Sequence, residues 1–297
     1  MVRMAERARP VDAVLPCELL PDVRQKIVET AQAIEESAHE LPGVHLSAQE
    51  LSDSGILRGA IERLRGQQAA SMVVKREFLR QVLDFMLEGQ WIRAWEFSGS
   101  GERHDYELEA DDGRCVVFEA KGCLDGNNTT IFTRPHNADE FYIWSLCQNA
   151  GADPRHNAWS GIHTRLSSEV IAAQTRVDGV IIWDMVCGTA GRLCPKTENA
   201  HERTTNIGSK QVPPPCLFLF PRSIPDARNN PAPPVWTLAD LSFMSALARA
   251  FGCTSEDLTS ISIEARMQDA DVQRKTTLVR GGYAVASSRW TTLRRAR

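Results

Sequence analysis

The chain is expected to fold as an α/β protein whose central elements follow the order α-β-β-β-α-β. Three observations carry this expectation. From about Ser71 to Leu87, the residues Phe78, Leu79, Val82, Leu83 and Met86 recur at helical spacing and form one apolar stripe. Residues 103 to 122 hold two strand-like runs joined by Asp111-Asp112-Gly113, whose Asp-Gly pair supplies the positive φ of a tight hairpin. Val177 to Val186 is the most β-like run in the sequence, and its continuous apolar centre marks a strand buried on both faces.

Residues 1–66 read as a helical N-terminal region, 67–188 as the core, and 189–297 as an α+β region belonging to the same compact unit. Val23, Ile27, Ala31 and Ile34 predict a helix that starts at Pro21 and ends near Leu41-Pro42-Gly43. Ser47-Ala48-Gln49-Glu50 is a capping-box sequence and opens a second helix carrying Leu51, Ile56, Leu57, Ile61 and Leu64. After the long helix, Trp91 to Phe97 reads as a strand leading into the hairpin. In the first hairpin run Tyr106, Leu108 and Ala110 alternate with Asp105, Glu107 and Glu109, so one face is apolar and the other acidic. The second run, Cys115 to Lys121, is mostly apolar until it ends in Glu119-Ala120-Lys121. Period two places Glu119 and Lys121 on one face.

Asn137-Ala138-Asp139-Glu140 has the acceptor and the acidic third residue of a helix start, so a helix is expected through Phe141, Ile143, Trp144 and Cys147. Ile162 to Gln174 fits a further helix ahead of the buried strand. Beyond residue 188 the pattern predicts a short strand at Cys216–Phe220 and a helix from Ala239 to Phe251. A strand follows over Leu258–Met267, then a final hairpin around Gly281-Gly282.

Composition bounds the function. With 297 residues, 42% of them hydrophobic and 24% charged, the chain has a globular composition; no stretch reaches the length of a membrane span, and the start lacks a signal peptide's apolar run. A cytoplasmic location without membrane contact is therefore expected. Eight cysteines contain no Cys-x-x-Cys pair, which argues for reduced thiols and against a zinc site. A net charge of −4 disfavours an all-round basic surface but not a local one. From Glu264 to Arg297 there are eight basic and three acidic residues, a local net of +5, a surface able to follow a phosphate backbone.

Two carboxylates and an ammonium at the end of an apolar strand form a compact polar cluster. Oxygen ligands of this kind suit Mg²⁺, and the neighbouring Lys can hold or activate a water beside a phosphate. The pattern Asp105, thirteen intervening residues, then Glu119-Ala120-Lys121 resembles the PD-(D/E)xK nuclease superfamily, which includes most type II restriction endonucleases. His104 stands where the family name has proline. The resemblance implies a restriction-endonuclease-like core, with a mixed central sheet flanked by helices, and Mg²⁺-dependent hydrolysis of double-stranded DNA. It implies Asp105, Glu119 and the Ala120 carbonyl as metal ligands and Lys121 as the residue that orients the attacking water. Glu77 or Glu96 would supply an additional acid, as a helix-borne acid does in many members.

The loops beside this cluster supply Asn127, Asn128, Thr129, Thr130, Arg134 and Arg155, residue types that hydrogen-bond to base edges and phosphates. The expected enzyme is a homodimeric type II restriction endonuclease cutting at a short specific sequence, with a cognate DNA methyltransferase as its companion. Rival readings are a repair or phage-defence nuclease of the same fold, and a non-catalytic DNA-binding protein.

Overall fold

The computed structural model describes residues 21–57, 60, 72–98, 104–121, 133–147, 166–184, 205–208, 210–212 and 214–293. Two N-terminal helices, α1 (Pro21–Ser37) and α2 (Ala48–Asp53), precede the sheet. The capping box is present: Ser47 Oγ accepts from Glu50 N–H, and the Glu50 carboxylate accepts from Ser47 N–H at 2.9 Å. Among the described residues α2 stops at Asp53, short of the longer helix that Ile61 and Leu64 predict, and those two positions lie outside the description.

α3 (Met72–Glu88) is the long amphipathic helix, and its stripe Phe78, Leu79, Val82, Leu83 and Met86 is fully buried. Each such side chain contributes about 1.5–3 kcal/mol of apolar burial. Next come β1 (Ile92–Phe97), β2 (Tyr106–Ala110) and β3 (Cys115–Lys121), an antiparallel meander in which Gly113 takes φ +88° at the turn.

The segment read as a helix from Asn137 is instead β4 (Glu140–Cys147), paired parallel to β3. Phe141, Tyr142, Ile143 and Trp144 are all buried, so both faces of the strand are covered. A run of aromatic and β-branched residues with no polar face favours a central strand over a helix. Glu140 does not cap a helix of its own. The region therefore runs α-β-β-β-β-α-β, one strand more than the sequence predicts.

α4 (Ser167–Ala172) follows, and β5 (Gly179–Asp184) pairs parallel to β4. A small separate pair, β6 (Thr205–Ile207) and β7 (Lys210–Val212), comes before β8 (Cys216–Leu219). Then come α5 (Ser242–Ala250), β9 (Leu258–Gln268), β10 (Asp271–Arg280), β11 (Tyr283–Ser287) and β12 (Thr291–Thr292).

One mixed sheet of ten strands results, in the order β1-β2-β3-β4-β5-β8-β9-β10-β11, with β12 beside β10. One face packs on α3 and α5 and the other on α4, giving an α/β architecture with helices on both sides. A Cβ at Gly179 would lie 2.8 Å from the Phe218 carbonyl, so β5 and β8 close together only because that residue is glycine. No helix among the described residues is long and apolar enough to cross a membrane.

Candidate active site

The alternation along β2 determines what each face of the hairpin carries. Tyr106, Leu108 and Ala110 are buried against α3's layer, which leaves Glu107 and Glu109 on the opposite face. The ladder pairs Tyr106 with Phe118, yet Asp105 N–H also reaches the Phe118 carbonyl at 3.0 Å, one residue out of register. Such a slip bends the chain and re-aims the side chain, as at a β-bulge. The Asp105 carboxylate accordingly lies at the end of β2 in the plane of the sheet, where Oδ2 accepts Ala120 N–H at 2.7 Å. Because the N–H and C=O of a strand residue point to the same side, the Ala120 carbonyl faces this edge as well.

Val117, Glu119 and Lys121 project from the other face of β3, opposite Phe118 and Ala120. Glu119 is 1% exposed, and Lys121 Nζ is ion-paired with Glu119 Oε1. Their β4 partners are Ile143 and Ser145, both buried. Lys121 remains about one-fifth exposed, so the ammonium lies at the boundary between core and solvent. The three residues named by the motif are thus on one strand end: Asp105 from the adjoining strand, Glu119 and Lys121 from β3.

The neighbouring groups limit the chemistry. Glu107 accepts from Cys115 Sγ at 3.4 Å and stands 3.4 Å from His104 Nε2, forming a cluster just ahead of the candidate set. Burial, then the Glu107 carboxylate, pushes the Cys115 thiol up to about 12, which excludes it as a thiolate nucleophile at neutral pH. Burial likewise raises the Tyr106 phenol to about 12. His104 and Glu107 were passed over as a pair in the sequence reading; alternation puts Glu107 on the acidic face, but nothing in the sequence brings His104 to it.

The remaining candidates separate. Glu77 lies on α3, on the layer opposite Glu119, and is held by Arg80 at 2.7 Å and Gln81 at 2.6 Å on the helix surface. Glu96 is exposed on β1 opposite Glu107, on the wall of a cavity of about 340 Å³. β2 separates it from Glu119's strand. Arg134 corrects an expectation: its guanidinium is turned inward to Asp178 at 2.5 Å and to the carbonyls of Ala138 and Asp139. A fork so engaged anchors the chain ahead of β4 and is not available to read bases. Asn127, Asn128, Thr129, Thr130 and Arg155 lie outside the described residues.

The oxygens expected to act as ligands, two carboxylates and one main-chain carbonyl, are all hard. This chemistry fits Mg²⁺, which prefers a few protein oxygens and keeps waters on its other positions. Among the described residues no three or more His, Cys, Asp or Glu side chains gather as a metal group. No family model matches this chain, and neither a curated protein nor a solved structure matches it significantly.

Proposed function

We propose that the protein is a Mg²⁺-dependent nuclease of the PD-(D/E)xK type, hydrolysing phosphodiester bonds in double-stranded DNA, and that its biological role is restriction. The observation that carries the reading is the union of Asp105, Ala120, Glu119 and Lys121 at one strand end. Asp105 is re-aimed by a one-residue slip and bonded to Ala120 N–H, and Glu119 and Lys121 share a face of the adjoining strand. Support also comes from the sheet, in which this strand is followed by two parallel neighbours and a helix on the Glu119 face. The departure from the family core is the additional strand β4.

In this reading Asp105, Glu119 and the Ala120 carbonyl hold the metal, which supplies charge neutralisation at the scissile phosphate. Lys121 has the other task. A compact ammonium with three rotatable donors can hold a water against the phosphate and offset the negative charge that grows there. Its ion pair with Glu119 keeps the Nζ at the strand end in the absence of substrate. Two copies acting on a two-fold symmetric site would cut both strands, and a methyltransferase would protect the host's own DNA.

The test is cleavage of phage DNA by the purified protein with Mg²⁺, with sequencing of the ends. Discrete ends that share a short sequence are expected. Glu119→Ala and Lys121→Ala should each reduce the rate by about a thousandfold or more, the size expected when a group stabilising transition-state charge is removed. Cleavage at wild-type rates by Glu119→Ala would overturn the assignment.

A further inference from the structure

A second polar site lies at the opposite end of the parallel strands. The chain segments leading into β4 and β5 meet the segment that follows β8, and enclose a cavity of about 490 Å³. Among the described residues Arg176 and Arg222 line it together with His136, Thr175, Ser223 and the engaged Arg134, and no described carboxylate does. Val116 pairs with Glu140 and Lys121 with Ser145, so this end is separated from Lys121 by five residues of strand, roughly 17 Å.

Two of the arginines are arranged by one ring. Trp236 is fixed by its indole N–H to Asp178 Oδ1 at 3.0 Å and by its backbone N–H to the Phe220 carbonyl at 2.9 Å. The Arg222 and Arg176 guanidinium carbons lie over this indole at 5.0 and 5.8 Å from its centroid. Stacking fixes the plane of both guanidinium groups, and with it the direction of their N–H donors.

Asp240 takes Arg222 NH2 at 2.5 Å, and Asp178 lies 3.0 Å from Arg176 Nε. The second is a contact of charges only, because Arg176 Nε is buried and makes no hydrogen bond. Ser223 Oγ accepts from Asn230 at 2.8 Å, so its own proton can be given elsewhere. The cavity therefore presents donors and guanidinium groups, and the carboxylates paired with Arg176 and Arg222 are not among its described lining residues.

We propose that this cavity binds a phosphate group. Several N–H and O–H donors on the described lining suit an anion with three or more acceptor oxygens, and guanidinium forks match phosphate geometry. The phosphate comes either from a nucleic-acid backbone or terminus or from a small free ligand. The site does not rest on the nuclease reading, since it shares no residue with Asp105, Glu119 or Lys121.

The experiment uses the full chain and inorganic phosphate. Thermal unfolding is followed against phosphate concentration, with chloride at matched ionic strength as the reference, and binding is measured by ³¹P line broadening. Phosphate should raise Tm of the wild type beyond the chloride series, because a ligand of the folded state stabilises it. Arg176→Gln and Arg222→Gln should each weaken binding by about tenfold or more, the loss of a charge-assisted hydrogen bond. Arg266→Gln, on β9, should bind as the wild type does.

A short 5′-phosphorylated duplex that displaces inorganic phosphate identifies the source as nucleic acid. If the duplex fails to compete while phosphate binds, the ligand is a small phosphorylated molecule. Absence of a phosphate effect on the wild type overturns the proposal, as does unchanged binding in a folded protein carrying both substitutions. If that double variant does not fold, the single variants Arg176→Gln and Arg222→Gln decide the matter.

Discussion

At the C-terminal end of β3, buried Glu119 meets Lys121 of its own strand, whereas at the opposite end of the parallel strands Asp178 meets Arg134 from 44 residues away. Both pairs set a buried carboxylate against a cation, and they do different things. Asp178 also accepts Phe141 N–H at 2.9 Å and the Trp236 indole at 3.0 Å, so one side chain joins the approach to β4, the start of β5 and the segment beyond β8. An ion pair between residues two apart on one strand joins no two elements. Burial of a charged pair gains little stability over an apolar replacement. The Asp178 cluster ties three segments of the chain together, whereas the Glu119–Lys121 pair is a local contact at a strand end.

The largest expected effect would break this contrast if it went the other way. Asp178→Ala leaves Arg134 and Arg176 without their buried counter-charge and should destabilise the fold by about 3–5 kcal/mol. Glu119→Ala removes a buried carboxylate whose partner Lys121 is partly exposed, and should cost less stability than Asp178→Ala. Chemical denaturation of both variants checks the pair. Equal losses would mean that Glu119 is architectural.

The Asp178 cluster also shows where the sequence stopped being informative. The acidic hairpin, the long helix, the buried run at β5 and the C-terminal hairpin are local patterns, and each lies where periodicity and turn residues put it. The segment 140–147 is different. A strand buried on both faces and a buried helix have the same continuous apolar run, and the capping-like Asn137-Ala138-Asp139-Glu140 tipped the reading towards helix. The eight-residue length and the aromatic-rich Phe-Tyr-Ile-Trp sequence were the signals for a strand.

At the candidate site, the shared face of Glu119 and Lys121 was legible because both follow the alternation along one strand. The one-residue slip at Asp105 and the inward turn of Arg134 were not, because both depend on partners across the sheet or far along the chain.

Arg134 sharpens the comparison from its cationic side. The sequence suggested a base-reading residue, whose loss would weaken cognate cleavage selectively. Its bonds to Asp178 and to the Ala138 and Asp139 carbonyls predict instead a stability loss of about 2–4 kcal/mol in Arg134→Ala. Cognate and non-cognate DNA affinities, compared at a temperature where the variant is folded, should fall together or not at all.

A third buried carboxylate, Glu140, lies between the two cases. Its oxygens accept Ser242 N–H at 2.6 Å, Phe243 N–H at 3.1 Å and Tyr142 O–H at 2.6 Å, so it caps α5 from a strand about a hundred residues earlier. Burial raises its carboxyl above the ordinary value, outweighing these donors and Arg114. A raised folded value favours the protonated form in the native state. The stabilising contribution is therefore fully present below the ordinary carboxylate value and is lost as pH rises through the folded one. Glu140→Gln should be about 1–3 kcal/mol less stable at the acidic end, from the lost acceptor, and should lack this decline. Tm across a pH series for both proteins reads the difference in slope, and parallel curves would show that Glu140 does not titrate in this window.

The smallest effect is expected at Glu77, the acid proposed as an additional metal ligand. An acid serving the metal would have to reach the Glu119 side of β3, yet α3 packs against the other face of the sheet. Glu77 is engaged along its own helix by Arg80 and Gln81, three and four residues away, and such pairs contribute little at a surface. Glu77→Ala should therefore leave both Tm and the Mg²⁺ dependence of cleavage as they are in the wild type. A rise in the Mg²⁺ concentration needed for half-maximal cleavage would place Glu77 at the metal. The helix would then have to move towards the strand end when DNA binds.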